Sequence, residues 1–252
     1  MSKQLHLSAI TNTIAILGFL LITTTEVKAE LMTELYGGDG FTQKHNASVN
    51  LPDAGITGTH KSLKFDSAAT IGGRAIYWIN KLPYLGVGLD ASHFFGPDQK
   101  KQISVTQLCI EGFGCSTSPE TIKKFNNNVT VIGLDIMLRY PLFVSDQFTK
   151  GRLQPYLSAG PAAFFTTLKD TDNFIPAGQT STYTSLGIKA GAGFMLFFTK
   201  SIGAFIEYRG TNFKVEDQYN NAKIVNDITL GRTIGNATFN MRAIVGGVSL
   251  SF

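Results

Sequence analysis

Charged residues interrupt several apolar segments of this sequence at positions that neither a turn nor a loop explains. They are the basic residues Arg74, Arg139, Lys189 and Arg209 and the acidic residues Asp90, Asp135 and Glu207. A buried charge is costly unless an opposite charge lies next to it. The near balance of four basic and three acidic residues therefore predicts a buried network of ion pairs. The same groups are also compatible with a narrow ion pathway.

Groups suited to acid–base or nucleophilic catalysis are poorly organised. Ser92 and His93 are adjacent, but neighbouring residues on a strand point to opposite faces and cannot easily share a proton. A second set lies between residues 43 and 64 without a recognisable motif: His45, Asp53, His60 and Ser62. We therefore expect no enzymatic activity, no cofactor and no metal site.

The only two cysteines, Cys109 and Cys115, lie six residues apart in LCIEGFGCS. In an exported protein this spacing predicts a disulfide that closes a small loop. Two free thiols are the alternative. The spacing does not fit a CxxC metal site.

The composition and the N-terminus indicate an exported protein with little surface charge. Charged residues make up 16% of the chain, below the roughly 25% of ordinary soluble domains. Paired lysines are the largest basic clusters, so we expect no nucleic-acid partner. Ile14–Ile22 is a short apolar core, and Val27-Lys28-Ala29 fits a cleavage site. Residues 1–29 are therefore predicted to be a cleaved signal peptide, with a single membrane anchor as the alternative.

Helical patterns are nearly absent, and period-two alternation recurs along the chain. Eight segments alternate in this way: 31–42, 65–78, 84–95, 128–140, 153–168, 182–197, 202–215 and 237–252. Each is longer than the roughly 5–6 residues of a typical soluble strand and long enough for the roughly 9–11 that a membrane-spanning strand needs.

The connections between these segments alternate between short turns and long polar loops. The long loops are 43–64, 96–127, 169–181 and 216–236, whereas 80–84 and 198–201 are short. This layout is typical of outer-membrane barrels. We predict an all-β fold, an eight-stranded antiparallel up-and-down transmembrane β-barrel over residues 30–252.

The two faces of each predicted strand differ in chemistry. In 182–197, Leu186, Ile188 and Phe194 share one face, while Lys189 lies opposite among glycines. A soluble lipocalin-like barrel would bury the apolar face, and a membrane barrel would turn it outward. Continuous apolar faces with aromatic ends, opposite faces rich in glycine and serine, and nearly balanced mid-strand charges favour the membrane barrel.

Arg242 has the parity of a lipid-facing residue. It lies ten residues before Phe252. At a rise of roughly 3.3 Å per residue and a tilt of roughly 40°, ten residues span about 25 Å along the membrane normal. This height would place Arg242 at the outer interface, where lipopolysaccharide phosphates are available. A solvated position at the barrel rim is the favoured interpretation of Arg242, and contact with lipopolysaccharide is the alternative.

Three segments carry a family resemblance. GGRAIYWINKLPYLGVGLDASHFF (72–95), SIGAFIEYRGTNFKV (201–215) and the terminal GGVSLSF resemble the opacity-type, outer membrane protein A-like family of eight-stranded, porin-like barrels. The resemblance implies the outer membrane of a Gram-negative bacterium. It also implies that the barrel-assembly machinery reads the terminal strand and Phe252. The chain departs from the family at Leu250, where an aromatic residue is common.

The resemblance specifies architecture more than activity. We expect a polar lumen plugged by charges, with long extracellular loops that serve envelope structure or contact surfaces, as in adhesins and opacity proteins. The expected partners are outer-membrane lipid, lipopolysaccharide and a host or surface ligand at the four long loops. A narrow porin-like channel is the alternative, and a lipid A-modifying enzyme is a less favoured third.

Overall fold

The computed structural model describes residues 30–42, 45–63, 67–96, 102–122, 125–170, 180–220, 223–224, 228–229 and 232–252. The predicted signal peptide, residues 1–29, lies outside the described residues. Parts of all four predicted long loops also lie outside them.

The described residues form fourteen strands and one short 3-10 helix, Pro52–Ala54. The strands in chain order are β1 (Glu30–Thr42), β2 (His45–Leu51), β3 (Ile56–Leu63), β4 (Ala68–Ile79), β5 (Leu82–Phe94), β6 (Gln102–Ile110), β7 (Gly114–Ile122), β8 (Phe125–Arg139), β9 (Leu153–Asp170), β10 (Thr180–Phe197), β11 (Ile202–Asn220), β12 (Lys223–Ile224), β13 (Ile228–Thr229) and β14 (Arg232–Ser251). No helix within this part of the chain is long and apolar enough to cross a membrane.

Eight of these strands close into an antiparallel barrel in the order β1, β4, β5, β8, β9, β10, β11 and β14. The first and last strands pair to complete the ring, with Leu35 opposite Val248. The predicted fold class is therefore confirmed. Each barrel strand corresponds to one of the eight alternating segments, although β11 and β14 extend farther toward the long-loop end than expected.

The barrel wall also continues beyond the predicted long-loop boundary. β2 follows β1 and pairs with the upper part of β14, and β3, β6 and β7 add to it in that order. The prediction of plain loops over 43–64 and 96–127 was therefore wrong. These segments are rich in serine and threonine, so their strands lack the apolar alternation by which the barrel strands were recognised.

The apolar face of the barrel points outward. Ile136 and Ile188 are 63% and 66% exposed, whereas Asp135 and Lys189 are 1% and 4% exposed. The alternative of a soluble barrel with an apolar interior is therefore excluded. Five of the aromatic side chains that are more than half exposed lie near the short-turn end: Tyr84, Tyr140, Phe143, Phe198 and Phe252. Such a belt is typical of a membrane interface.

Packed side chains fill the lumen in layers. Toward the long-loop end, Phe213 stacks on Phe164 and Phe239, with ring centroids 4.1 and 5.2 Å apart. Trp78 is buried near the short-turn end. The charged residues of the strand centres lie between these two aromatic layers.

Candidate functional site

All seven charged residues singled out in the sequence have buried side chains in the lumen: Arg74, Asp90, Asp135, Arg139, Lys189, Glu207 and Arg209. Period-two alternation explains this placement, because every second residue of a barrel strand faces inward. Six of the seven meet in a central cluster. Arg139 lies apart from them, toward the short-turn end.

Arg74 on β4 binds carboxylates from two other strands. It faces Asp90 of β5 in the strand register. Its side chain nevertheless donates from Nε to Glu34 at 2.7 Å and approaches Glu207 from Nη1 at 2.9 Å. Opposition in register therefore does not make an ion pair here, because the long side chain of Arg74 reaches past its nearest neighbour.

Asp90 is bound instead by groups from three other strands. Lys189 of β10 donates to its Oδ2 atom, and Arg209 of β11 approaches the same atom from Nη1 at 3.0 Å. Tyr36 of β1 donates its hydroxyl proton to Oδ1 at 2.5 Å. The Oδ2 atom of Asp90 thus lies beside two cations, and its Oδ1 atom accepts from a hydroxyl.

The contact between Arg209 and Asp90 spans the whole lumen. In the closed order of eight strands, β5 is third and β11 is seventh, so the two strands lie opposite each other. An eight-stranded barrel is only wide enough for side chains to fill it. A contact of 3.0 Å therefore joins opposite walls at this point.

Two tyrosines connect the charged groups. Tyr156 of β9 donates to Glu207 Oε2 at 2.9 Å and accepts from Arg74 Nη2 at 3.3 Å. Arg209 donates from Nε to Glu207 Oε1 at 2.7 Å and from Nη1 to the Tyr36 hydroxyl at 2.8 Å. The cluster is therefore one continuous network rather than a set of separate pairs.

The central cluster contains more acidic than basic groups. Four carboxylates, those of Glu34, Asp90, Asp135 and Glu207, share three cations, which belong to Arg74, Lys189 and Arg209. Lys189 approaches Asp135 at 2.8 Å. Three carboxylate oxygens, Glu34 Oε1 and both oxygens of Asp135, have no hydrogen-bond partner among the described residues, although Lys189 lies within ion-pair distance of Asp135 Oδ2. The expected surplus of basic charge is therefore reversed at the centre.

Arg139 belongs to a second cluster at the short-turn end. It donates from Nη2 to Glu30 Oε2 at 2.5 Å, and its guanidinium lies 4.0 Å from the Trp78 ring centroid. Lys150 also approaches Glu30, at 3.2 Å, and Ser251 donates to it at 3.0 Å. Lys150 lies in the connection between β8 and β9, so this connection contributes to closing the short-turn end of the lumen.

Glycines make room for the central cluster. A Cβ atom added at Gly191 would lie 2.7 Å from Glu207 Oε1, and one at Gly133 would lie 2.6 Å from Lys189 Cε. Real Cβ atoms essentially never make contacts this close. The inward-facing glycines of the predicted strands therefore create the space that the charged side chains occupy.

Sequence reasoning missed several members of these clusters, among them the buried residues Glu30, Glu34, Tyr36 and Tyr156. The first three lie at even positions in ELMTELY, with Met32 between them, and share the inward face of β1. Alternation in this strand could have revealed them. Tyr156 had the same parity signal on β9, but an aromatic residue was not considered as a partner of charges.

The adjacent Ser92 and His93 point in opposite directions. Ser92 is buried in the lumen, while His93 is half-buried on the outer side and its Nδ1 atom lies 2.9 Å from Thr130 Oγ1. The side chains of His45 and His60 lie outside the described set. No group of three or more histidine, cysteine or acidic residues in the described ranges could hold a metal ion.

Four further residues of interest lie away from the lumen. Cys109 and Cys115 form a disulfide across the β6–β7 hairpin, with an S–S distance of 2.03 Å. Phe252 is exposed, and its backbone N–H donates to Leu31 at 2.9 Å beside the closing strand. Arg242 lies on the outer wall in a surface groove.

Comparisons with known proteins find barrels of the same kind. Neisserial surface protein A has 14% identity and a TM-score of 0.43, with 84% of this chain and 95% of that protein covered. Outer membrane protein OprG from Pseudomonas aeruginosa has 14% identity and a TM-score of 0.45, with 89% and 96% covered. Ail, the attachment invasion locus protein of Yersinia pestis, has 10% identity and a TM-score of 0.39, with 87% and 98% covered. No curated protein matches the sequence.

A match to a protein family covers almost the entire chain. The outer membrane protein beta-barrel domain matches residues 15–252. This match agrees with the closed eight-stranded ring, the outward apolar face and the aromatic belt. The chain belongs to the outer membrane protein β-barrel family and lies in the outer membrane of a Gram-negative bacterium.

Proposed function

We propose that this barrel is closed by its charge cluster and acts through its extracellular surface, in envelope structure or in contact with other surfaces. The observation that carries the proposal is the contact between Arg209 and Asp90, which joins opposite walls of the lumen at 3.0 Å. Aromatic layers lie on both sides of this contact. A barrel filled in this way offers little room for solute passage, so its extracellular part is the better candidate for the working surface.

The extracellular end has the construction of a contact surface. β2, β3, β6 and β7 extend the wall beyond the barrel ring. At the tip of the β6–β7 hairpin, Phe113 is 90% exposed, directly beside the Cys109–Cys115 disulfide. An exposed aromatic residue on a preorganised hairpin is suited to anchor a partner at low entropic cost.

We propose a non-catalytic role for the same protein. Ser92 and His93 face opposite sides of the wall, so they cannot act as a nucleophile and its base. The buried carboxylates of the central cluster are engaged by arginine and lysine side chains rather than open to a substrate. These placements support binding rather than chemistry.

A narrow channel is the second candidate function. The observation that favours it is the surplus of carboxylates in the central cluster, which would attract cations if ion pairs exchanged partners. Such a channel would be cation-selective. Ionic conductance and its reversal potential in a salt gradient distinguish it from a closed barrel.

Surface display tests the proposed contact function. A Gram-negative laboratory host would display the intact protein or a variant in which a short Gly–Ser linker replaces residues 102–122. We expect the intact protein to increase adherence to immobilised extracellular-matrix proteins or cell-to-cell aggregation, and the hairpin replacement to abolish the increase. A Phe113→Ser variant should weaken the effect while leaving the barrel folded. Equal adherence of all three strains, at equal surface amounts, would contradict the proposal.

A further inference from the structure

Arg242 lies on the outer wall of the barrel, on the closing strand β14. On β14 it faces Phe41 of β1 on one side and Gly210 of β11 on the other. Within the described residues, no acidic side chain forms an ion pair with it, and its buried Nε atom has no hydrogen-bond partner. A guanidinium on a lipid-facing wall needs an anion or water to offset its desolvation.

The side chain of Arg242 lies over a glycine. A Cβ atom at Gly210 would lie only 2.5 Å from Arg242 Nη1. Asp39, an outward-facing acid on β1, is opposite Ile244, two residues from Arg242 along β14. The guanidinium therefore extends toward β11 and away from the strand that carries Asp39.

Small residues make this part of the wall concave. Ala190 on β10, Gly210 on β11 and Arg242 on β14 share one register row. They lie in a surface groove of about 520 Å³ that Ile188, Tyr208 and Asn212 also line. Asn212 donates to Asn240 at the upper end. The groove thus has a polar upper end and an apolar lower end beside Tyr208 and Ala192.

The height of the groove fits the outer membrane interface. Arg242 lies ten residues before Phe252 on the closing strand, a climb of about 25 Å along a tilted strand, close to the height of the apolar band. Its upper end therefore lies at the level of lipid headgroups, and its lower end faces acyl chains. A ligand that matches both ends must combine an anion with hydrocarbon.

We propose that this groove binds a phosphate-bearing lipid of the outer leaflet, with a phosphate on Arg242 and an acyl chain along Ala190, Ala192 and Tyr208. Lipid A, the membrane anchor of lipopolysaccharide, has this chemistry and is the probe for the test. Arginine suits phosphate because its planar fork can donate two parallel hydrogen bonds. The site is separate from the lumen and from the extracellular hairpins, so it does not depend on the proposed function.

Native mass spectrometry of the folded protein in detergent tests the site by titration with lipid A. We expect Arg242→Gln to raise the Kd about tenfold, as the loss of a charge-assisted hydrogen bond would. Gly210→Val should weaken binding similarly, because it displaces the guanidinium and fills the floor of the groove. Should Gly210→Val fail to fold, Ala190→Leu obstructs the same groove from β10. Arg152→Gln, an exposed arginine at the opposite end of the barrel, is the matched control.

The outcomes separate a lipid from a free anion. Weaker binding by Arg242→Gln and by the groove-filling variant, with Arg152→Gln unchanged, supports the proposal. Lipid A without phosphates should bind as weakly to the wild-type protein as lipid A does to Arg242→Gln. Unchanged affinity of Arg242→Gln would overturn the site. Competition by millimolar inorganic phosphate would also overturn it as a lipid site, because the groove would then bind the free anion.

Discussion

The guanidinium of Arg209 on β11 meets the carboxylate of Asp90 on β5 at 3.0 Å, across the full width of the lumen. Neither residue is a register neighbour of the other. Arg209 also binds Glu207 and Tyr36, and Asp90 also binds Lys189. This pair therefore connects the groups around Arg209, Glu207 and Tyr36, with Lys189 on the other side of Asp90. The following predictions depend on how this network is built.

Removal of Arg74 should destabilise the barrel strongly. Arg74→Met leaves Glu34 and Glu207 without a shared cation, and loss of one partner from a buried ion pair costs about 3–5 kcal/mol. The free energy of unfolding in urea can be followed by fluorescence of Trp78, the only tryptophan of the chain. Lys200→Met, an exposed position in the β10–β11 turn, is the control.

Neutralising Asp135 should have a much smaller effect than removing Arg74. The cluster holds four carboxylates and three cations, so Asp135→Asn relieves repulsion while retaining the size of the side chain. The same urea titration measures it. A loss of stability as large as that of Arg74→Met would show that the charge count is not the controlling quantity.

Gly191 should not tolerate a side chain. A Cβ atom there would lie 2.7 Å from Glu207 Oε1 and 2.8 Å from Ser158 Oγ. We expect Gly191→Val to lower the free energy of unfolding by about 1–3 kcal/mol, the usual cost of overpacking. Ala190→Val, one residue away but facing lipid, is the matched control in phosphatidylcholine vesicles. Equal effects of the two changes would argue against a packed lumen at this point.

The disulfide should stabilise the extracellular hairpin and not the barrel. The double change of Cys109 and Cys115 to serine removes a small closed loop, worth about 2 kcal/mol by loop entropy, or about 25-fold in local opening. Proteolysis of the hairpin should accelerate accordingly, while the urea midpoint of the barrel stays constant. A shifted midpoint would mean that the hairpin and the barrel unfold together.

Phe252 should matter for assembly more than for the folded state. Its side chain is exposed, so it contributes little packing within the barrel. We expect Phe252→Ala to reduce the amount of folded protein in the outer membrane of cells, whereas refolding into vesicles proceeds as in the wild-type protein. An equal loss of folded protein in cells and in vesicles would show that Phe252 has a structural role and is not a signal for the assembly machinery.

The sequence was sufficient to predict the eight strands of the barrel and the orientation of their side chains, because period-two alternation is strong where one face of a strand meets lipid. Ile136 and Asp135 show this on adjacent positions of β8. The same rule failed for β2, β3, β6 and β7, where serine and threonine replace the apolar face. Without an apolar face, these strands carry no period-two signal in the sequence.

It was harder to predict which lumen residues bind one another than to predict which residues face the lumen. Arg74 lies opposite Asp90 in register, but it binds Glu34 and Glu207. In a narrow barrel, long side chains reach three or four strands away, so several acids compete for each cation. Which acid binds a given cation depends on the shear of the whole barrel and on the space left by glycines such as Gly191. No local sequence pattern encodes either of these.

Conductance of the refolded protein in a planar bilayer tests the central claim most directly. The wild-type barrel, with β-rich circular dichroism and a known porin as the positive control, should produce no discrete conductance steps. An Arg74→Ala variant run beside it identifies the origin of any signal. Reproducible steps in the wild-type protein that change in size in Arg74→Ala would contradict the closed lumen and establish a narrow channel controlled by its charge network.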